Sequence, residues 1–96
     1  MNKKQDRFSL KGKTVLITGA LGFLGRYFCK AIIEADGSLV LTDLDHKGCT
    51  NLSDELQEGS QNNIIGLGCD ITDEVAVNNL VNEVNDLTKG IDILIH

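Results

Sequence analysis

One junction constrains this chain more than any other stretch. In TVLITGALGFLGRYF, residues 14–28, a short β-branched apolar run stops at Gly19. Two more glycines follow at a spacing of three, Gly22 and Gly25, and then an apolar pattern resumes. Glycine costs backbone entropy wherever it is ordered, so three of them at one strand-to-helix junction need a reason. Gly19 stands where the chain must turn sharply, at φ > 0. Gly22 stands where a Cβ would keep a ligand from touching the backbone. Gly25 lies one helical turn further on, where the new helix presses against the strand it has just left. The first N–H groups of a helix lack internal acceptors, and the helix dipole adds positive potential there. The junction therefore reads as an anion site sized for a pyrophosphate.

The rest of the chain supplies the frame for such a junction. Residues 13–18, KTVLIT, read as a strand buried on both faces of a parallel sheet. A helix is expected over 22–36, with Leu24, Phe28, Ala31, Ile32 and Ala35 as its apolar positions and Gly37 as its C′ stop. Residues 38–43 read as a second strand and 47–58 as a second helix, diluted by Gly48 and Asn51. A turn cluster at 59–63 and a third strand at 64–70 follow. Thr72 reads as the N-cap of a third helix, with Asp73 and Glu74 at the positive end of its dipole. Val77, Leu80, Val81, Val84 and Leu87 form its apolar stripe, Gly90 ends it, and 91–96 open a fourth strand. The order β-α-β-α-β-α-β implies an α/β, Rossmann-like, doubly wound parallel sheet with helices on both faces. The expected division is an N-terminal arm over 1–12, with Phe8 and Leu10 against the domain edge, and a nucleotide-binding domain over 13–96. Since the pattern stops in a fourth strand, the reading is the N-terminal part of a larger fold. Apolar faces that expect partners from further chain would then be left bare.

Bulk properties narrow the function. A net charge of −5 among 96 residues argues against nucleic acid as a main partner, which calls for a basic face, and against an anionic membrane surface. No apolar run approaches the roughly 18 residues that span a bilayer. The polar start MNKKQDRFSLKGK lacks the apolar core of a secretory signal, so the expected compartment is the cytoplasm and Asn51-Leu52-Ser53 carries no glycan. Cys29, Cys49 and Cys69 are odd in number and form no C-x-x-C, which reads as three reduced thiols. His46 and His96 have no ligand-spaced neighbours, so no metal site is expected.

A dinucleotide also needs a reader for its adenosine ribose, supplied in Rossmann units by an acid about 20 residues on, at the end of the second strand. Asp43 is 18 residues after Gly25 and ends the second expected strand. Its carboxylate accepts both ribose hydroxyls and repels a 2′-phosphate, and Leu44 brings no basic side chain, so NAD is favoured over NADP. Strand before, helix after and acid at the right distance are the context tests for the glycine motif. The tripeptide Gly12-Lys13-Thr14 mimics the end of a P-loop. The earlier glycine of that motif is replaced by Arg7, however, and the strand follows rather than precedes.

Taken together, TGALGFLG (18–25), Asp43, CDITD (69–73) and DILIH (92–96) resemble the short-chain dehydrogenase/reductase family, from about residue 10 to the last residue. The resemblance implies that Gly19, Gly22, Phe23, Leu24 and Gly25 line the pyrophosphate, with the Leu24 N–H as a donor. It implies that Asp43 binds the ribose, that Leu44 lies beside the adenine, and that Asp70 hydrogen-bonds the adenine amino group with Ile71 in the same pocket. Asp70 also reads as a simple turn or capping acid, and Arg26 as a solvated side chain. The glycine spacing resembles that of the extended branch, whose members often act on nucleotide-linked sugars, whereas IDILI and CDITD are more similar to the classical branch, so both branches stay open. The family's Tyr-x-x-x-Lys pair is absent: the single tyrosine, Tyr27, is followed four residues on by Ala31. No catalytic residue is assigned, and His96 reads as lining near the cofactor.

The implied function is hydride transfer between NAD and a hydroxyl or carbonyl carbon of a small metabolite, possible sugar derivatives included. The full-length protein would be a homo-oligomer, and these 96 residues alone would be inactive. Two alternatives stand beside this: a non-catalytic protein that senses or structurally uses NAD(H), and an S-adenosylmethionine-dependent methyltransferase, which also builds its site from a glycine turn and strand-end acids.

Overall fold

The computed structural model describes residues 9–96. Four parallel strands, β1 (Thr14–Ile17), β2 (Ser38–Asp43), β3 (Ile64–Gly68) and β4 (Ile93–Ile95), alternate with helices α1 (Phe23–Glu34), α2 (His46–Gln57) and α3 (Glu74–Leu87). The strand order is β3-β2-β1-β4. The chain thus adds strands in one direction through β3, and then α3 carries it back across to the far side of β1. All three ladders are parallel, with Thr14 opposite Ser38, Leu39 opposite Ile64 and Val15 opposite Ile93. This is the expected doubly wound α/β architecture.

Side chains of β1 and β2 alternate between two apolar layers, as the twofold period of a strand requires. Val15, Ile17, Leu39 and Leu41 meet Cys29 and Ile32 of α1 and Cys49 and Leu52 of α2 on one face. Leu16 and Val40 meet Leu80 and Val84 of α3 on the other. Every residue of β1 is buried, which explains its apolar run Val15-Leu16-Ile17. Helix α2 rides close on β3 because Gly66 and Gly68 present no side chains: a Cβ on Gly66 would strike the Cys49 carbonyl, and one on Gly68 would lie 2.7 Å from His46 Cα. Gln57 closes the following turn, donating to the Ser60 and Asn62 carbonyls and accepting from the Ile64 N–H.

Several local expectations are corrected. Helix α1 faces the sheet with Gly25, Cys29 and Ile32, so Leu24, Phe28 and Ala31 lie on its outer side, and of the expected stripe only Ile32 and Ala35 are buried. The helix is apolar around most of its circumference, and the need of Gly25 to sit against the turn sets its rotation. The left-handed residue at its end is Asp36 (φ 68°) rather than Gly37. The Asp36 and Gly37 N–H groups close onto the Ile33 and Ile32 carbonyls at 3.0 Å each, a Schellman ending with Gly37 at C″. Glycine serves there by close approach, since a Cβ would lie 2.9 Å from Ile32 Cγ2 and 3.1 Å from Leu10 Cβ.

Helix α2 begins one residue earlier than expected, capped by the Asp45 side chain on the Gly48 N–H. The N-cap of α3 is Asp73, whose Oδ1 accepts from Val75 and Ala76; Thr72 is diverted to the Asp70 carboxylate. On α3, Leu80 and Val84 are buried as expected, whereas Leu87 is exposed. The helix ends at Leu87, before Gly90, and the Thr88 hydroxyl closes onto the Val84 carbonyl. β3 ends at Gly68, leaving Cys69 and Asp70 outside the strand, and β4 covers only residues 93–95 of the expected 91–96. Leu10 is part of the core rather than an edge contact, donating its N–H to the Ala35 carbonyl. Phe8 and the rest of residues 1–8 in the expected arm lie outside the described residues.

Candidate functional site

The site lies at the carboxyl ends of the strands, beside the point where strand order reverses between β1 and β4. That is where open α/β sheets leave a crevice for ligands. After β1 the chain turns over Gly19–Gly22, closed by the Gly22 N–H on the Gly19 carbonyl at 3.1 Å. Gly19 takes φ 65°, the left-handed region that glycine enters without penalty. Both residues inside the turn are tied to the end of β2. The Ala20 N–H donates to the Thr42 carbonyl at 3.0 Å, and the Leu21 N–H donates to Asp43 Oδ2 at 3.0 Å.

Helix α1 then begins with no side-chain cap, because its N-cap is Gly22. Its first closing bond is Arg26 N–H to the Gly22 carbonyl at 3.0 Å. Among the described residues, the N–H groups of Phe23, Leu24 and Gly25 have no acceptor. Gly25 is buried because the helix sits on the turn. A Cβ there would strike the Gly19 carbonyl and lie 2.7 Å from Ala20 Cα, so the helix presses on the turn itself rather than on the strand. A Cβ on Gly22 would meet only the Gly19 carbonyl, at 3.4 Å. The protein interior therefore makes little demand for glycine at Gly22; the space outside it is open.

The acids expected from the sequence stand along the same edge. Asp43 is half-buried and faces the glycine turn, with Oδ2 on Leu21 and Oδ1 accepting from the Leu44 N–H at 2.8 Å. Leu44 itself is exposed. The Cys69 N–H donates to the Asp43 carbonyl at 2.8 Å, which brings the end of β3, and with it Asp70 and Ile71, beside the end of β2. Asp70 is exposed and accepts from both the amide and the hydroxyl of Thr72, at 2.9 and 2.6 Å. Those bonds hold its carboxyl below the usual carboxylate range. Asp70 is thus a turn acid in the free chain, with one carboxylate oxygen already engaged.

Three residues of this edge, Ala20, Leu21 and Thr18, escaped the sequence reading. Ala20 and Leu21 anchor the turn through backbone N–H groups, which no side-chain pattern announces. The Leu21 side chain also reaches α2, where a Cβ on Gly48 would lie 2.8 Å from its Cδ1. Arg26, expected as a solvated side chain, is exposed and donates Nε to the Leu21 carbonyl at 3.3 Å. Thr18, at the end of β1, bonds His96 Nδ1 at 2.7 Å, which sets His96 at the reversal point.

Other features are accounted for without chemistry. Burial pushes the Cys29 thiol up to about 11 and raises those of Cys49 and Cys69, so these are inert core thiols. A cavity of about 680 Å³ opens at the opposite, amino end of the sheet, between Ser38, Asn63 and Lys89. It lacks both the open helix start and the facing carboxylate. Among the described residues there is no cluster of three or more metal-ligating side chains, and no helix is long and apolar enough to cross a membrane.

Comparison with known proteins agrees with this geometry. The family model described as short chain dehydrogenase matches residues 13–96. A short chain dehydrogenase/reductase of the fungus Macrophomina phaseolina is 28% identical over 88 residues, covering 92% of this chain and 50% of that protein. The crystal structure of a hydroxysteroid dehydrogenase from Escherichia coli superimposes with a TM-score of 0.85 at 27% identity, covering 97% of this chain and 37% of its own. An active-site complex of Pseudomonas aeruginosa RhlG with NADP has a TM-score of 0.81 at 23% identity, covering 91% of this chain and 34% of its own; at that identity the likeness is one of fold. The chain spans half or less of the length of each of these relatives. Nothing in them favours a methyltransferase. With a glycine turn, an uncapped first helix and a strand-end acid assembled on a 3-2-1-4 sheet, this chain belongs to the short chain dehydrogenase family.

Proposed function

We propose that this chain is the dinucleotide-holding half of an NAD-dependent oxidoreductase. One observation carries the reading: three N–H groups at the start of α1, without acceptors among the described residues, stand beside a carboxylate that faces the same turn. Donors so placed suit a diphosphate, and the carboxylate suits a ribose diol. Phe23, Leu24 and Gly25 would donate to the pyrophosphate, and Gly19 and Gly22 would let it approach the backbone. Asp43 would take the adenosine ribose through its remaining lone pairs and repel a 2′-phosphate, which favours NAD over NADP. Leu44 and Ile71, both exposed, would flank the adenine, with Asp70 accepting from its amino group. His96 would line the nicotinamide side. When bound, the nicotinamide gives or takes the hydride; this chain's residues hold and orient it.

No residue of this chain is assigned to proton transfer. Tyr27 is exposed on the outer side of α1 and has Ala31, not lysine, four residues on. The complete protein would act on a hydroxyl or carbonyl carbon of a small metabolite, as a homo-oligomer in the cytoplasm. Ligand-observed NMR titration with NAD, NADP and S-adenosylmethionine tests the reading. Weak, saturable NAD binding, weaker NADP binding and no response to S-adenosylmethionine are expected. Binding of S-adenosylmethionine without NAD overturns the reading, and NADP binding tighter than NAD overturns its cofactor preference.

A further inference from the structure

We propose that Asp43 is a positioning residue that locks the glycine turn in its ligand-ready shape before any cofactor arrives. The proposal rests on the dinucleotide reading and adds to it a second task for the same carboxylate. The turn has two interior residues, and both N–H groups go to the end of β2: Ala20 to the Thr42 carbonyl, Leu21 to Asp43 Oδ2. The first bond is made by backbone and is fixed by the sheet. The second depends on one side chain. Asp43 is aimed by its own neighbour, since Oδ1 accepts from the Leu44 N–H at 2.8 Å, which leaves Oδ2 presented to Leu21. Leu21 is gripped further by Arg26 Nε on its carbonyl and by its side chain over Gly48 of α2.

The consequence is that the phosphate turn and the ribose acid are one mechanical unit. With Leu21 held, Gly22 closes on Gly19, and α1 starts with three N–H groups left open. With Leu21 released, its N–H becomes a competing donor and the turn loses one of its two ties to the sheet. A substitution meant only to admit a 2′-phosphate would therefore also loosen the pyrophosphate cradle, unless it kept an acceptor within reach of Leu21.

Amide hydrogen exchange on the ligand-free full chain tests this, so its outcome is independent of whether any dinucleotide binds. In Asp43→Ala, the Leu21 N–H is expected to exchange about tenfold faster or more, the usual scale for losing a hydrogen bond to a charged group. The Ala20 and Gly22 N–H groups, which do not touch Asp43, are expected to quicken with it. The Thr18 N–H, bonded to the Ile95 carbonyl, reports the sheet and is expected to stay unchanged. Asp43→Asn keeps one acceptor oxygen and is expected to quicken Ala20 and Gly22 less than alanine does. Acceleration confined to Leu21 and Leu44 overturns the lock, as does an equal rise at Thr18. If the alanine variant fails to fold, the asparagine variant decides. In either variant, Ala20 and Gly22 that follow Leu21, quickening where it quickens and holding where it holds, over an unmoved Thr18 support the lock; Leu21 quickening without them, or an equal rise at Thr18, overturns it.

Discussion

The three helices start at the same edge of the same sheet, yet they start differently. α2 opens under Asp45, whose carboxylate takes the Gly48 N–H. α3 opens under Asp73, whose carboxylate takes the Val75 and Ala76 N–H groups. Each aspartate satisfies donors that a helix start leaves over. α1 opens under Gly22, with no side-chain cap and, among the described residues, three donors unspent. The difference teaches where function separates from stability. Two junctions spend part of their free donors on a carboxylate, leaving only His46 and Lys47 at α2 and Glu74 at α3, whereas among the described residues α1 spends none. The carboxylate nearest it, Asp43, is turned onto Leu21, clear of the helix start.

Substitutions at these junctions sharpen or break the contrast. Gly25→Ala should have the largest effect, about 3 kcal/mol of lost stability in urea unfolding. Its Cβ meets backbone at Gly19 and Ala20, which cannot yield as a side chain would. Gly22→Ala should change stability by less than about 0.5 kcal/mol, because its Cβ makes only an ordinary contact, while abolishing the NAD response in the NMR titration. Asp73→Ala should cost about 1 kcal/mol by removing a helix cap and leave that titration unchanged. Gly22→Asp would finish α1 in the manner of its neighbours. Stability should rise by about 0.3 kcal/mol, and NAD binding should vanish, since the new carboxylate takes the donors and repels phosphate.

The smallest effect is one of pH. Asp70 lies below the ordinary carboxylate value because of the Thr72 hydroxyl and amide. A depressed acid stabilises the fold above its unfolded value, and that contribution is lost as pH falls through its folded value. Thr72→Val should move the Asp70 titration, followed by carboxyl NMR, back toward the ordinary value and weaken the acid-side loss.

The sequence made the frame legible because strands buried on both faces and glycines at a strand end have few alternative explanations. β1, β2, the positive φ at Gly19, the close approach at Gly25 and the place of Asp43 all follow from that. What stayed hidden was rotation and partnership. Leu24, Phe28 and Ala31 have helical spacing, yet so do Gly25, Cys29 and Ile32, and only contact with the turn decides which stripe is inward. Thr72 and Asp73 both suit a cap, and the choice depends on where Asp70 points. Asp45, three residues before Gly48, carried a capping signature that could have been read. The tie from Leu21 to Asp43 spans 22 residues through a backbone donor, and no local pattern encodes it.

The most direct test follows the backbone amides of the full chain by NMR while NAD is added. The expected result is a saturable shift of Phe23, Leu24 and Gly25, with Gly48, Val75 and Ala76 unmoved because their donors are already capped. Shifts at the starts of α2 and α3 equal to those at α1, or none at α1 with NAD in excess, would contradict the claim that the uncapped helix is the one built to hold a ligand.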